Sequence, residues 1–224
     1  MASLPAPLLV QAIIDAFSES GATAISISKE KDHPRKFYIQ SVQTAFPLWV
    51  YIWTLTHGGG AARPEDEYRI QLTGVKPPLQ MNPNGPTVLI GYEPNTHCFA
   101  GFDLTKHKTF STKSPSIQIN TNALRKAARD GFSFTTKGND EIAIGFRPDQ
   151  ILAYVLNADL LHAQGADAKT IKLLAKAAAF ETIPQQEIQS LAKDRQRVVA
   201  TISRLSRDSD FRKKSLLLTI GNAQ

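Results

Sequence analysis

Thr87-Val88-Leu89-Ile90-Gly91, followed shortly by Cys98-Phe99-Ala100-Gly101-Phe102, decides the fold class. Both runs are short and apolar without interruption, the pattern of strands covered on both faces. Upstream, Tyr68-Arg69-Ile70-Gln71-Leu72 alternates instead. That puts Tyr68, Ile70 and Leu72 on one face and Arg69 and Gln71 on the other. A chain mixing the two strand types is sheet-rich and strongly bent, either a barrel or a curled mixed sheet.

Working outward, the further candidate strands are Ala24–Ser28, Phe37–Val42, Trp49–Thr56, Glu67–Thr73, Ile117–Asn120, Phe132–Thr136 and Glu141–Phe146. Turn chemistry separates them: Gly58-Gly59-Gly60, Pro77-Pro78, Asn82-Pro83-Asn84-Gly85-Pro86 and Lys137-Gly138-Asn139-Asp140. A short helix, Asn122–Asp130, ends at Gly131. Ahead of the strands, Leu4–Ser20 reads as an amphipathic helix with Leu8, Leu9, Ala12, Ile13, Ala16 and Phe17 on its apolar face. It stops at Gly21, which suits the position after a C-cap. After Pro148 the pattern becomes helical: Asp149–Gln164, capped by Asp149, and then Asp167–Phe180. A third helix opens with Thr182-Ile183-Pro184-Gln185, a capping box with proline at its first turn. Its apolar positions, Ile188, Leu191, Val198, Ile202 and Leu205, offer either a coiled-coil seam for a homodimer or a face packed on its own domain. A last helix begins near Ser209. The expectation is an α+β protein: a sheet-rich, strongly bent or barrel-like body over residues 1–148, followed by a helical segment over 149–224.

Among 224 residues, 42% are hydrophobic and 21% charged, enough to bury a sizeable core. No window approaches a membrane span of about 18 apolar residues, and the N-terminal run lacks the basic start of a signal peptide. The single cysteine, Cys98, excludes internal disulfides and multi-cysteine zinc sites. A cytoplasmic location with no membrane partner is expected. The net charge of +6 is concentrated. Leu191–Lys214 holds eight basic residues against Asp194, Asp208 and Asp210, a local +5 that leaves the rest near neutral. Such a segment suits a polyanion partner, or equally a solvated helix.

Chemistry-bearing motifs are sparse. His57-Gly58-Gly59-Gly60 with Arg63, Asp66, Glu67 and Arg69 is the densest polar cluster, but neither a P-loop nor a dinucleotide fingerprint follows it. An HGGG run occurs in esterase oxyanion holes, yet the chain has no G-x-S-x-G, so a hydrolase is rejected. The five histidines stand at no metal-site spacing. His97 and Cys98 are neighbours, so on a strand they face opposite ways, and Cys98 reads as a small core residue. A restriction-type magnesium nuclease needs an acid followed by an acid-x-Lys. Asp66, Glu67 and Asp103 match this only in degenerate form, since Asp103-Leu104-Thr105-Lys106 is one residue too long. Two basic loops remain, Lys29–Lys36 and Lys106–Ser114. The second carries only basic charge among short hydroxyl side chains, as backbone contacts to DNA require. Trp49, Tyr51 and Trp53 share one strand face, the usual pattern of core packing.

Arg207-Asp208-Ser209-Asp210-Phe211-Arg212-Lys213-Lys214 resembles the lead-in to the zinc-binding core of many bacterial HNH restriction-type endonucleases. The segments Asp66–Gln71, Phe99–Asp103, Ser114–Gln118 and Phe146–Asp149 look like the region such proteins carry ahead of the nuclease. After Lys214 the chain runs Ser215 to Gln224 with no Cys-x-x-Cys and no His-Asn-His. The resemblance therefore implies the recognition part, whether a fragment or a natural truncated relative, and carries no cleavage chemistry.

The expected function is DNA binding, with specificity for sequence or base modification, in a restriction or anti-phage system. No catalytic residue, metal or cofactor is assigned. Double-stranded DNA is the expected partner. Lys106, His107, Lys108, Lys113, Arg204, Arg207, Arg212, Lys213 and Lys214 are the expected phosphate contacts, and His57, Arg63 and Arg69 the base or pocket contacts. The competing readings are a nuclease using Asp66, Glu67 and Asp103, and a dimerising interaction module.

Overall fold

The computed structural model describes residues 3–42, 44–57, 64–110, 115–138 and 140–163, together with 184 and 186. The chain divides into two compact units, Met1–Gly165 and Ala166–Gln224. All of the described strands belong to the first.

Its elements follow in order: α1 (Ala6–Glu19), β1 (Ala22–Ser26), β2 (Arg35–Ser41), β3 (Ala45–Thr54), β4 (Thr56–His57), β5 (Glu67–Gln71), β6 (Thr87–Glu93), β7 (Cys98–Phe102), α2 (Leu104–His107), β8 (Ser116–Asn120), α3 (Thr121–Asp130), β9 (Phe132–Thr136), β10 (Ile142–Phe146) and α4 (Ile151–Ala163). Seven strands form one sheet in the order β1-β2-β3-β6-β7-β10-β9, and β4-β5-β8 form a second. The α+β expectation holds. Of its two alternatives the barrel fails, because β1 and β9 end the large sheet without pairing to each other.

Within the large sheet only β3 and β6 run parallel, in register Trp49↔Thr87 to Thr54↔Tyr92; the other neighbours are antiparallel. A parallel pair needs a crossover, and here β4 and β5 lie within it. The chain leaves the large sheet at Leu55, whose N–H still donates to Tyr92 O (2.8 Å). Thr56 and His57 then pair with β5. A strand that passes between sheets in this way forms a corner. Gly91 permits the close approach, since a Cβ there would meet Ile70 Cγ2 and Leu55 Cγ at 2.6 Å.

Every residue of β6 and β7 is buried, as their unbroken apolar runs required. One face of the large sheet carries the small sheet with α2 and α3. There Tyr51, Trp53, Leu89, Ala100 and Phe102 pack with Ile70, Ile117, Ile119, Leu104 and Leu124. The other face carries α1 and α4. Tyr154 of α4 stacks on Phe146 (centroids 4.3 Å apart) and lies against Gly101, where any Cβ would fall on its hydroxyl. Tyr154 and His162 are both buried, and His162 Nδ1 donates to Ile142 O (2.9 Å). The sequence changes character at Pro148, but the first compact unit continues through α4 because these contacts hold the helix to β7 and β10.

Three local expectations are corrected. Helix α1 begins at Ala6 and buries Leu9, Val10, Ile13, Ala16 and Phe17, leaving Leu8 exposed. Val10, one turn before Ile13 and nearly two before Ala16, fills the stripe that Leu8 was expected to fill. The helix starts at Ile151 and not at Asp149, which sits in a 3-10 turn at Pro148–Gln150 where Arg147 Nε and Nη2 donate to its two oxygens (2.8 and 2.9 Å). The basic loop at Lys106 starts as helix α2, where Asp103 accepts from Thr105 N (2.9 Å) as the N-cap. Gly21 (φ 79°) and Gly131 (φ 88°) end α1 and α3 as expected.

Candidate nucleic-acid interface

The expected contact residues fall into three groups. Arg63, Lys113, Arg204, Arg207, Arg212, Lys213 and Lys214 lie outside the described residues, as does the Ile188–Leu205 seam. His57 and Arg69 belong to the small sheet. Lys106, His107 and Lys108 belong to α2 and its C-cap.

In the small sheet His57 pairs with Tyr68 and Thr56 with Arg69. Cross-strand partners share a face, so His57 and Arg69 point to opposite faces. The His57 ring is set edge-on to Tyr68 (6.4 Å), and its Nε2 lies 3.2 Å from the Pro64 carbonyl, which can only accept. Arg69 lies on the face away from the core, level with Gln118 on β8.

Lys106 and Lys108 are exposed, whereas His107 turns inward. Its Nε2 donates to Glu141 Oε1 at 2.7 Å, and Lys137 Nζ approaches the other carboxylate oxygen at 3.2 Å. The Glu141 side chain is wholly buried. Burial alone would push its carboxyl up, but the His107 hydrogen bond and the charges of His107 and Lys137 hold it down at about 2. His107 thus fastens α2 to the start of β10. Lys108 O accepts from Leu79 N (2.9 Å) and ties the other end of α2 to the loop before β6.

Helix α3 adds residues that the sequence reading did not single out. Ala123, Leu124 and Ala127 are buried, while Asn122, Arg125, Lys126 and Arg129 are exposed. The signal was present: a helix with one apolar stripe of small residues presents its basic residues together on the opposite side. Leu104 of α2 and Leu124 of α3 enter the same core, so both helices lie on the same side of the large sheet. Helices α2 and α3 with their caps carry Lys106, Lys108, Arg125, Lys126 and Arg129 against Asp103 and Asp130, and the small sheet adds Glu67 and Arg69, both half-buried. Asp103 is committed to the α2 cap, and Asp130 is paired with Arg129 (2.6 Å).

The opposite layer is of the other sign. Helices α1 and α4 contain no Lys or Arg, and Asp15, Glu19 and Asp159 are exposed on them. A cleft of about 350 Å³ on that side is lined by Asp15, Glu19, Tyr92, His97 and Arg147. Tyr92 Oη and His97 Nδ1 are 3.2 Å apart there. A rim bearing two carboxylates disfavours phosphate.

No metal centre is assembled from the acids considered. Asp66 accepts from the Asn120 side chain, Asp103 caps α2, and no group of three or more potential ligands occurs among the described residues. Cys98 is fully buried, and burial pushes its thiol up to about 11, away from nucleophilic use. Tyr51 and Trp53 are core residues. Trp49 is partly exposed, with Lys36 Nζ 4.7 Å above its ring. Among the described residues no helix is long and apolar enough to cross a membrane.

Residues 46–155 match the model of a family described as methylase-associated X1. The matched span runs from β3 into α4 and includes the whole small sheet, α2 and α3. No curated protein and no solved structure matches the chain.

Proposed function

We propose that this protein binds double-stranded DNA in a restriction–modification setting, through the layer formed by α2, α3 and the small sheet. The observation that carries the reading is the separation of charge across the large sheet. Five exposed basic side chains stand on one layer, while the helices of the other bear only carboxylates as charged groups. A polyanion is drawn to the first and repelled by the second. The family likeness supports the setting, since a methylase-associated domain fits a system in which DNA is modified and read.

Lys106 within α2 and Lys108 at its C-cap flank His107, whose contact with the buried Glu141 sets the helix orientation, so their spacing is held before DNA arrives. Pre-positioned cations lose little side-chain freedom on binding. Arg125 and Lys126 extend the same charge along α3. In this reading Lys113 and the basic segment Leu191–Lys214 supply further phosphate contacts. The resemblance to the non-catalytic part of HNH endonucleases supports a recognition role without cleavage.

The test is binding of unmodified and base-modified duplex DNA across a salt series. Affinity that falls steeply with salt is expected. Absence of binding at low salt would sink the proposal and favour a protein partner.

A further inference from the structure

We infer that Arg125, on the exposed side of α3, reads guanine in the DNA major groove, and that Asn122 holds it in position. The inference rests on the DNA-binding proposal above and adds which side chain carries specificity.

Helix α3 has two distinct sides. Ala123, Leu124 and Ala127 are buried, and Asn122, Arg125, Lys126 and Arg129 are exposed. Spacings of three, four and seven residues from Asn122 put those four side by side on the helix surface. The buried side is fixed to the large sheet. Ser133 Oγ donates to Ala123 O (2.7 Å), and a Cβ at Gly145 would lie 3.1 Å from both Ala123 O and Ala127 Cβ. A helix seated this closely gives its outer side chains fixed origins.

The exposed residues differ in what they can still bind. Arg129 is engaged, with Nε and Nη2 donating to the two oxygens of Asp130 (2.6 and 2.9 Å). Lys126 is a compact point charge, which suits a phosphate. Arg125 donates one hydrogen bond, from Nη1 to Asn122 Oδ1 (3.2 Å). Its Nε–Nη2 edge has no partner among the described residues. Asn122, one turn back, therefore steadies the guanidinium and leaves a planar pair of donors facing outward. A phosphate contact requires charge, whereas a fork onto a base also requires a set direction.

Donor and acceptor chemistry then selects the base. Guanine presents two acceptors in the major groove, N7 and O6, while adenine and cytosine each present an amino donor there. The outward edge of Arg125 only donates. Asn122 could fork onto adenine, but its carbonyl oxygen is turned to Arg125. Asp130 could accept from cytosine, but both its oxygens are held by Arg129. Charge and size agree with duplex DNA as the occupant. Neither Arg125 nor Lys126 has a carboxylate partner among the described residues. A helix about 10–12 Å across with its side chains matches a major groove about 12 Å wide.

The experiment selects bound sequences from a randomised duplex pool. Each guanine of the enriched motif is then replaced in turn by 7-deazaguanine, which lacks the N7 acceptor. Wild type is compared with Arg125→Lys, which keeps the charge but loses the planar fork, and with Asn122→Ala. Thermal melting confirms that each variant is folded. Wild type is expected to enrich a motif containing guanine and to bind about tenfold more weakly when one of those guanines is replaced. Arg125→Lys is expected to lose that penalty and to accept other bases at the same position, with the salt slope unchanged. Asn122→Ala is expected to shrink the penalty, whereas a merely structural role would weaken binding to all sequences alike. Two results overturn the base-reading role while leaving DNA binding intact: a wild type that binds without requiring guanine, or a folded Arg125→Lys that keeps the full penalty. A full penalty in Asn122→Ala overturns the positioning role. A wild type that binds no duplex overturns both proposals.

Discussion

His107 Nε2 stands 2.7 Å from Glu141 Oε1, a contact between α2 and the strand end 34 residues further on. The carboxylate is buried and also meets Lys137 at 3.2 Å. Glu141 has a folded pKa of about 2 against an ordinary 4.5, so below pH 4.5 the unfolded chain takes up the proton first. The stabilisation is complete above pH 4.5 and is lost as the pH falls toward 2. Replacing Glu141 by Gln is expected to cost about 2 kcal/mol at neutral pH, the scale of a hydrogen bond to a charged group. The variant's unfolding free energy is also expected to be flatter than wild type between pH 4.5 and 2. Chemical denaturation across that window checks both, and a parallel pair of curves would contradict the assignment.

His33 predicts a second, separate acid dependence. Its ring stacks on Trp53 (4.5 Å, 10°), and its Nδ1 is buried without a hydrogen-bond partner. Burial, reinforced by the Arg35 charge, lowers its pKa to about 4. Between pH 6.5 and 4 the unfolded chain holds a proton that the folded chain refuses, so stability falls as the pH falls through that range. The substitution His33→Phe keeps a ring on Trp53 and is expected to flatten the profile there. Some slope remains, because burial also lowers the pKa of His162. An unchanged slope in the variant would show that His33 is solvated.

Gly101 and Tyr154 predict how tightly α4 is held. A Cβ at position 101 would fall on the Tyr154 hydroxyl, and Gly101 lies in a fully buried strand. Gly101→Ala is expected to cost on the order of 2–3 kcal/mol by overpacking. Tyr154→Phe removes the donor to His162 Nε2 (3.1 Å) and is expected to cost about 1–2 kcal/mol. Hydrogen exchange localises the effect: both variants should lose protection first in α4. Loss spread evenly over the sheet would contradict the packing described.

Much of this architecture was legible because it follows from local pattern. The unbroken apolar runs at Thr87–Gly91 and Cys98–Phe102 announced strands covered on both faces, and both are fully buried. The alternation at Tyr68–Leu72 announced the half-covered small sheet. What stayed hidden depends on distant partners. Nothing local at Leu55 shows that the strand changes sheets there, because the bend is set by Tyr92 and Ile70. His107 read as a phosphate ligand because its neighbours are basic, while Glu141 lies far along the chain. Helix α2 has only four residues, too few for a helical period to appear. The opposite charge of the two layers was invisible for the same reason: it emerges only when the topology places α3 beside α2 and away from α1.

If the α2–α3 layer meets DNA phosphates, reversing its charge must change how binding responds to salt. The variant reverses four charges: Lys106→Glu, Lys108→Glu, Arg125→Glu and Lys126→Glu. Binding of one duplex is measured for wild type and variant from low to moderate ionic strength. Each phosphate contact contributes close to one unit of slope in log affinity against log salt. The variant is expected to be folded, to bind at least about 100-fold more weakly at low salt, and to show a slope shallower by about two to four units. Equal affinity and equal slope in the folded variant would contradict it and move the interface elsewhere on the molecule.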